Sequence, residues 1–201
     1  MTRAPSPGPR ILVMAGSAQL GSPNRRLAAE AARRLALTQA TVTLIDLDDY
    51  PLPVYDDDGA DPENTPLNAL NLAERLSEQD GLLLVSPEVN GAAAPFLLNF
   101  LAWTSQVRKI RGRPLQPFSR LVVGLASASR SPLGGLRGLA ALRQVCQALG
   151  AEVLTPQVTL ADAVNGFDDH DRIVDDAASM ALDGLVERLL EFSRTLGRHQ
   201  F

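Results

Sequence analysis

Five short strand-like apolar runs alternate with five amphipathic helical patterns, and that alternation restricts the fold more than any other feature of this chain. The runs cover residues 11–15, 41–45, 81–86, 121–126 and 152–154. Between and after them, residues 24–36, 68–77, 94–107, 135–149 and 171–196 carry apolar side chains at helical spacing. Strand, helix, strand repeated in this way implies right-handed βαβ crossovers and a parallel sheet. Most of the runs are continuous rather than alternating, as expected when helices cover both faces. The simplest arrangement is a doubly wound five-stranded parallel sheet, an α/β fold, with strand order 2-1-3-4-5. With 201 residues the expectation is one domain, residues 10–198, behind a Pro-rich flexible lead over residues 1–9.

In such a sheet, ligands bind beyond the carboxyl ends of the strands, where the strand order reverses. The segment after the first run, Gly16-Ser-Ala-Gln-Leu-Gly-Ser-Pro-Asn24, is a tight loop running into a helix. The first turn of that helix offers N–H groups without partners and roughly half a positive charge, a seat for phosphate. A Walker loop needs a lysine after the second glycine, and Ser22-Pro23 stand there instead. The Gly-x-Gly-x-x-Gly dinucleotide pattern is also missing. What remains is a set of neutral donors: Ser17, Gln19, Ser22 and Asn24. They suit a monophosphate ester held by hydrogen bonds. Ser22 followed by Pro23 also fits a helix cap with proline at the first helical position, and both uses are compatible.

Two more small-residue loops fall on the same rim. Ser86-Pro-Glu-Val-Asn-Gly91 follows the third run, and Ser127-Ala-Ser-Arg-Ser-Pro-Leu-Gly-Gly135 follows the fourth. With these residues in place, the chain resembles the NADPH-dependent FMN reductase family, which has a flavodoxin-like fold. That family carries Gly-Ser-x-Arg-x-x-Ser-x-Asn-x-x-Leu after strand one, matched by Gly16, Ser17, Ser22, Asn24 and Leu27. Its Pro-Glu-Tyr-Asn-Gly loop is matched by Pro87, Glu88, Asn90 and Gly91, and the helix that follows by Asn99 and Trp103. Gln19 stands where the family has arginine, and Val89 where it has tyrosine.

The resemblance implies a function and a site. Ser17, Ser22 and Asn24, with Gly16 and Gln19 beside them, would hold the phosphate of FMN. Pro87, Glu88, Val89, Asn90 and Gly91 would line the isoalloxazine ring, and Ser127 to Ser129 would touch the other side of the flavin site. NADPH, or NADH, would reduce the flavin, which would pass electrons to a quinone or similar small acceptor. The protein would supply position and electrostatics rather than an acid–base pair. The family also implies a homodimer or homotetramer, with helices near Trp103 as candidate contacts. The rival reading, favoured by Gln19 and Val89, is a weakly flavin-binding or flavin-less relative acting as electron carrier, sensor or interaction protein.

Composition narrows the partners. Net charge is −4 with no long basic tract, which argues against nucleic acid. No apolar run is long enough for a membrane span. One cysteine, Cys146, excludes an internal disulfide, fits a cytoplasmic setting, and reads as a packed thiol. Trp103 reads as packing with Phe96 and Phe100, and His170 as part of a capping segment before the last helix. Arg130 is read as a solvated loop charge, with the NADPH 2′-phosphate as the alternative, and Arg25 and Arg26 as a solvated face, with substitution for the missing arginine as the alternative. The acidic run 56–58 lacks ligand spacing for a cation. The basic segment 108–120 is expected as a rim over the NADPH site, a subunit contact or a plain loop. Glu88 has two equal readings, a flavin edge or a cap for nearby backbone.

Overall fold

Why five runs make one sheet is plain from their burial in the computed structural model, which describes residues 8–56 and 64–199. The lead expected over 1–9 and the acidic run 56–58 lie largely outside the described residues. Strands β1 (Arg10–Ala15), β2 (Thr41–Asp46) and β3 (Gly81–Val85) come first. The hairpin strands β4 (Glu88–Val89) and β5 (Ala92–Ala93) follow, then β6 (Lys109–Ile110) and β7 (Arg113–Pro114). The last two are β8 (Val122–Ala128) and β9 (Glu152–Leu160). The main sheet runs β2-β1-β3-β8-β9 with every pairing parallel, the 2-1-3-4-5 order expected from the sequence.

Side chains alternate across the sheet, so each strand feeds two cores. Ile11, Val13 and Leu83 face helices α1 (Pro23–Ala36) and α5 (Asp176–Leu196), meeting Leu27, Leu35 and Leu185. Leu12, Met14 and Leu84 face α2 (Leu67–Ser77), α3 (Pro95–Gln106) and α4 (Leu136–Ala148), meeting Leu72, Phe100 and Leu142. Each such side chain, once fully buried, contributes roughly 1.5–3 kcal/mol. Trp103 is buried as expected. Its ring meets Tyr55 edge-on at 5.1 Å, and its Nε1–H donates to the Pro53 carbonyl at 2.8 Å. Asn99 bonds Pro53 and Tyr55 from the same helix, so the chain after β2 is laid along α3.

Three elements differ from expectation. The last strand is nine residues long rather than three, because a bulge carries it past Pro156: Val123 pairs with Val153, but Leu125 pairs with Gln157. The last helix starts at Asp176 rather than near 171. Asp168 closes a turn by accepting the N–H groups of His170 and Arg172, and the helix cap is Asp175, whose carboxylate accepts the Ala178 N–H. The loop after β3 is a hairpin, β4 paired with β5. Asn90 and Gly91 at its tip both have positive φ, the geometry that an Asn-Gly pair accepts most readily.

The edge opposite the strands' carboxyl ends is closed by the last described residues. Asp80, fully buried, accepts the N–H groups of Arg10 and His199 and meets the His199 ring at 2.9 Å. The Arg198 guanidinium donates to the carbonyls of Leu76, Gln79, Gln116, Pro117 and Ser119. The basic hairpin β6–β7 joins the end of α3 to the start of β8, so it stands on this same edge. That placement sets residues 108–120 at the opposite end of the strands from the loops after β1, β3 and β8, so of their three expected roles a subunit contact or a plain loop remains.

Candidate functional site

All three loops leave the sheet at one level. Ala15 pairs with Val85 and Val85 with Ala126, and the loops begin with Gly16 N–H donating to Val85 and Ser86 N–H donating to Ala126. They enclose a cavity of about 600 Å³ over the ends of β1, β3 and β8, well within the range of cofactor sites. Its wall includes Ser17, Gln19, Ser22, Asn24, Pro87, Glu88, Ser129 and Arg130.

On the β1 side the donors are free. Among the described residues, the N–H groups of Ser17, Ala18, Leu20 and Gly21 meet no hydrogen-bond acceptor of the protein. Ser22 closes the turn, its N–H donating to the Gln19 carbonyl at 3.1 Å. Its hydroxyl accepts the Asn24 N–H at 3.2 Å, capping α1, with Pro23 at the first helical position. The hydroxyl hydrogen of Ser22 remains available to an acceptor in the cavity. Asn24, expected at the phosphate, lines the cavity and also pairs with the end of β8. Its Nδ2 donates to the Ala128 carbonyl at 2.8 Å and its Oδ1 accepts the Ala128 N–H at 2.9 Å. Buried by this pairing, Asn24 is a positioning residue that staples the β1 loop to the end of β8.

On the β3 side Glu88 resolves in favour of capping. One carboxylate oxygen takes the Arg137 guanidinium at 2.8 and 2.5 Å, and the other accepts the N–H groups of Arg137 and Gly138 at 3.1 Å each. Gly135, which begins α4, has no side chain to cap it, so the acid comes from the hairpin. Burial pushes the Glu88 carboxyl up, but the Arg137 side-chain bonds, the two N–H groups and the Arg137 charge outweigh it and hold the group below the usual glutamate range. Close packing depends on Gly138, where a Cβ would stand 2.9 Å from the Ala92 carbonyl oxygen. Pro87 lines the cavity, whereas Val89, Asn90 and Gly91 form the hairpin tip outside its wall. Val89 is exposed there.

The β8 loop divides. Ser129 lines the cavity and its hydroxyl accepts the Ser131 N–H at 3.2 Å. Ser127 does not reach the wall. It is fully buried against Gly135, and its hydroxyl meets no partner among the described residues. Neither candidate substitute for the missing arginine is free. Arg25 is paired with Asp46 and Asp48. Arg26 reaches the wall but bonds Asp171 at 2.5 Å and the Asp168 carbonyl at 3.1 Å, its guanidinium 4.6 Å from the Phe167 ring centroid. Two features escaped the sequence reading, one on the wall and one behind it, where Arg137 holds Glu88. Ala163 and Val164 arrive from the connection after β9, and no local pattern marks them. Arg137 had a signal: an arginine in a helix's first turn opposes the helix dipole unless an acid meets it.

A wound parallel sheet in this strand order, with helices on both faces, defines a flavodoxin-like fold. The NADPH-dependent FMN reductase family is matched across residues 9–165, and the chain belongs to that family. It is 28% identical over 188 residues to an NAD(P)H-dependent FMN reductase of Pseudomonas aeruginosa, covering 93% of this chain and 96% of that one. It is 27% identical over 190 residues to a quinone reductase of Escherichia coli, covering 94% and 96%. Among solved structures, the flavoenzyme NAD(P)H:(acceptor) oxidoreductase FerB from Paracoccus denitrificans superposes with a TM-score of 0.73 at 21% identity, covering 94% of this chain and 99% of FerB. Among the described residues, no helix is long and apolar enough to cross a membrane.

Proposed function

We propose that this protein is an NAD(P)H-dependent flavin oxidoreductase that takes electrons from NADPH, with NADH as a second candidate, and passes them through FMN to a quinone-like or other small acceptor. The observation that carries this reading is the row of unpartnered N–H groups from Ser17 to Gly21, opening with Ser17 and Ser22 onto a cavity of about 600 Å³. Such a row meets the three terminal oxygens of a phosphate ester better than it meets water. When bound, FMN supplies the redox chemistry, accepting hydride from the nicotinamide and releasing electrons to the acceptor.

The chain's own residues bind and position. Ser17, Ser22 and the loop N–H groups hold the phosphate, and Asn24 keeps that loop registered against β8. Pro87 and Ser129 wall the cavity on either side. Glu88, its charge neutralised by Arg137, is among the described residues the one carboxylate on the wall and fixes the hairpin to α4 rather than exchanging protons. For self-association as a homodimer or homotetramer, the candidate face is the groove of Leu52, Val54, Tyr55, Phe96 and Ala102 beside Trp103, apolar and open. A cytoplasmic setting belongs to the same reading, supported by the single buried thiol.

Titration of the purified protein with FMN tests the proposal. Flavin fluorescence is expected to be quenched to a saturable endpoint, and the loaded protein to oxidise NADPH when a quinone is supplied. Absence of binding at saturating FMN overturns it. Binding without NADPH oxidation favours the rival carrier or sensor, for which the aliphatic Val89 at the hairpin tip is the supporting feature.

A further inference from the structure

The proposed phosphate seat carries no cation of its own. Gln19 occupies the position where family members place arginine, and an amide offers a donor without charge. A phosphate monoester brings nearly two negative charges at neutral pH, so a neutral seat leaves most of its charge uncompensated. Arginine cancels such charge through paired, charge-assisted bonds.

Two arginines stand on the cavity wall. Arg26 is already occupied by Asp171, Asp168 and Phe167. Arg130 is exposed, and among the described residues it has no hydrogen bond, ion pair or ring contact. The backbone beneath it is fixed. Ser129 N–H donates to Leu160, Ala163 N–H donates to the Ser129 carbonyl, and Ser131 N–H donates to the Ser129 hydroxyl. Two residues before Arg130, Ala128 is bonded both ways to Asn24 in the first turn of α1. The guanidinium is therefore unpartnered among the described residues, on a backbone that is itself hydrogen-bonded to the proposed phosphate loop.

We propose that Arg130 supplies, from the loop after β8, the positive charge for the FMN phosphate that the β1 loop lacks because Gln19 replaces arginine. The inference rests on the flavin reading above and adds a residue to that site. It assigns a free guanidinium to the flavin's phosphate rather than to the 2′-phosphate of NADPH, which has the same chemistry.

Comparing FMN with riboflavin isolates the phosphate, because the two differ only there. Dissociation constants for both are measured by flavin fluorescence in the wild-type chain, Arg130→Ala, Arg130→Lys and Gln19→Arg/Arg130→Ala. Arg130→Ala is expected to weaken FMN by about ten- to a hundredfold, the scale of a lost charged hydrogen bond, and to leave riboflavin unchanged. Arg130→Lys should recover part of the loss, and the added arginine at position 19 most of it. An Arg130→Ala chain that keeps the wild-type FMN-to-riboflavin ratio overturns the inference while the flavin reading stands. So does a chain in which only the preference for NADPH over NADH, read from the two KM values, is lost. If the wild-type chain binds neither flavin, both readings fall. An unchanged urea midpoint for Arg130→Ala shows that the comparison is made between folded chains.

Discussion

Cys146 lies on the inner face of α4 with Leu139 and Leu142, and burial pushes its thiol up to about 12, against a weaker pull from Arg143. A raised value stabilises the fold below the thiol's ordinary range, and that contribution fades as pH climbs through about 12. Native protein at pH 8 is therefore expected to resist a thiol reagent, and to react only as fast as the chain unfolds. Labelling within seconds would show that α4 opens locally. The same scale shows what a motif position can and cannot say. Ser17 and Ser22 line the cavity, Asn24 lines it with its amide bonded to Ala128, and Ser127 does not reach the wall. The difference lies in hydrogen bonds to partners more than a hundred residues away for Asn24, and in the approach of Gly135 for Ser127. Neither is visible in a local stretch of residues.

At the scale of elements, the hairpin and α4 form one unit through Glu88. The carboxylate replaces a missing N-terminal cap and satisfies two N–H groups together with Arg137. Glu88→Gln should cost about 1–2 kcal/mol in urea unfolding, the scale of a lost cap or charged bond. The sign of its pH dependence follows from its lowered ionisation. The contribution is complete above the ordinary glutamate value of 4.5 and is lost as pH falls through the lower folded value. Wild type and Glu88→Gln should therefore converge in stability on acidification; parallel curves would remove Glu88 from this role. Strands and helices of the main sheet were legible because their apolar runs are strongly periodic. The hairpin was missed although Asn90-Gly91 announces it, since two-residue strands carry no periodicity. The long β9 was truncated because Thr155, Pro156 and Gln157 interrupt its apolar pattern at the bulge.

For the whole molecule, opposite edges of the sheet serve opposite ends. The rim proposed for the flavin is an open cavity, and the far edge is locked by Asp80, Arg198 and His199. Asp80→Ala removes a fully buried acceptor from two N–H groups and the His199 ring. It is expected to cost about 2–4 kcal/mol. For a chain of this size that lowers Tm by roughly 5–15 °C. FMN affinity should not move, and a matching loss of flavin binding would mean that the two edges are coupled. This lock could not be read from sequence, because Asp80 and His199 meet across more than a hundred positions. The sheet has a further property in its outermost strand. Pro156 removes a donor from β9, and the bulge beside it breaks the regular spacing that a foreign strand would have to copy. Crowded copies of this chain are thus denied a ladder along that border, so ribbon-like clumping has to start from some other surface.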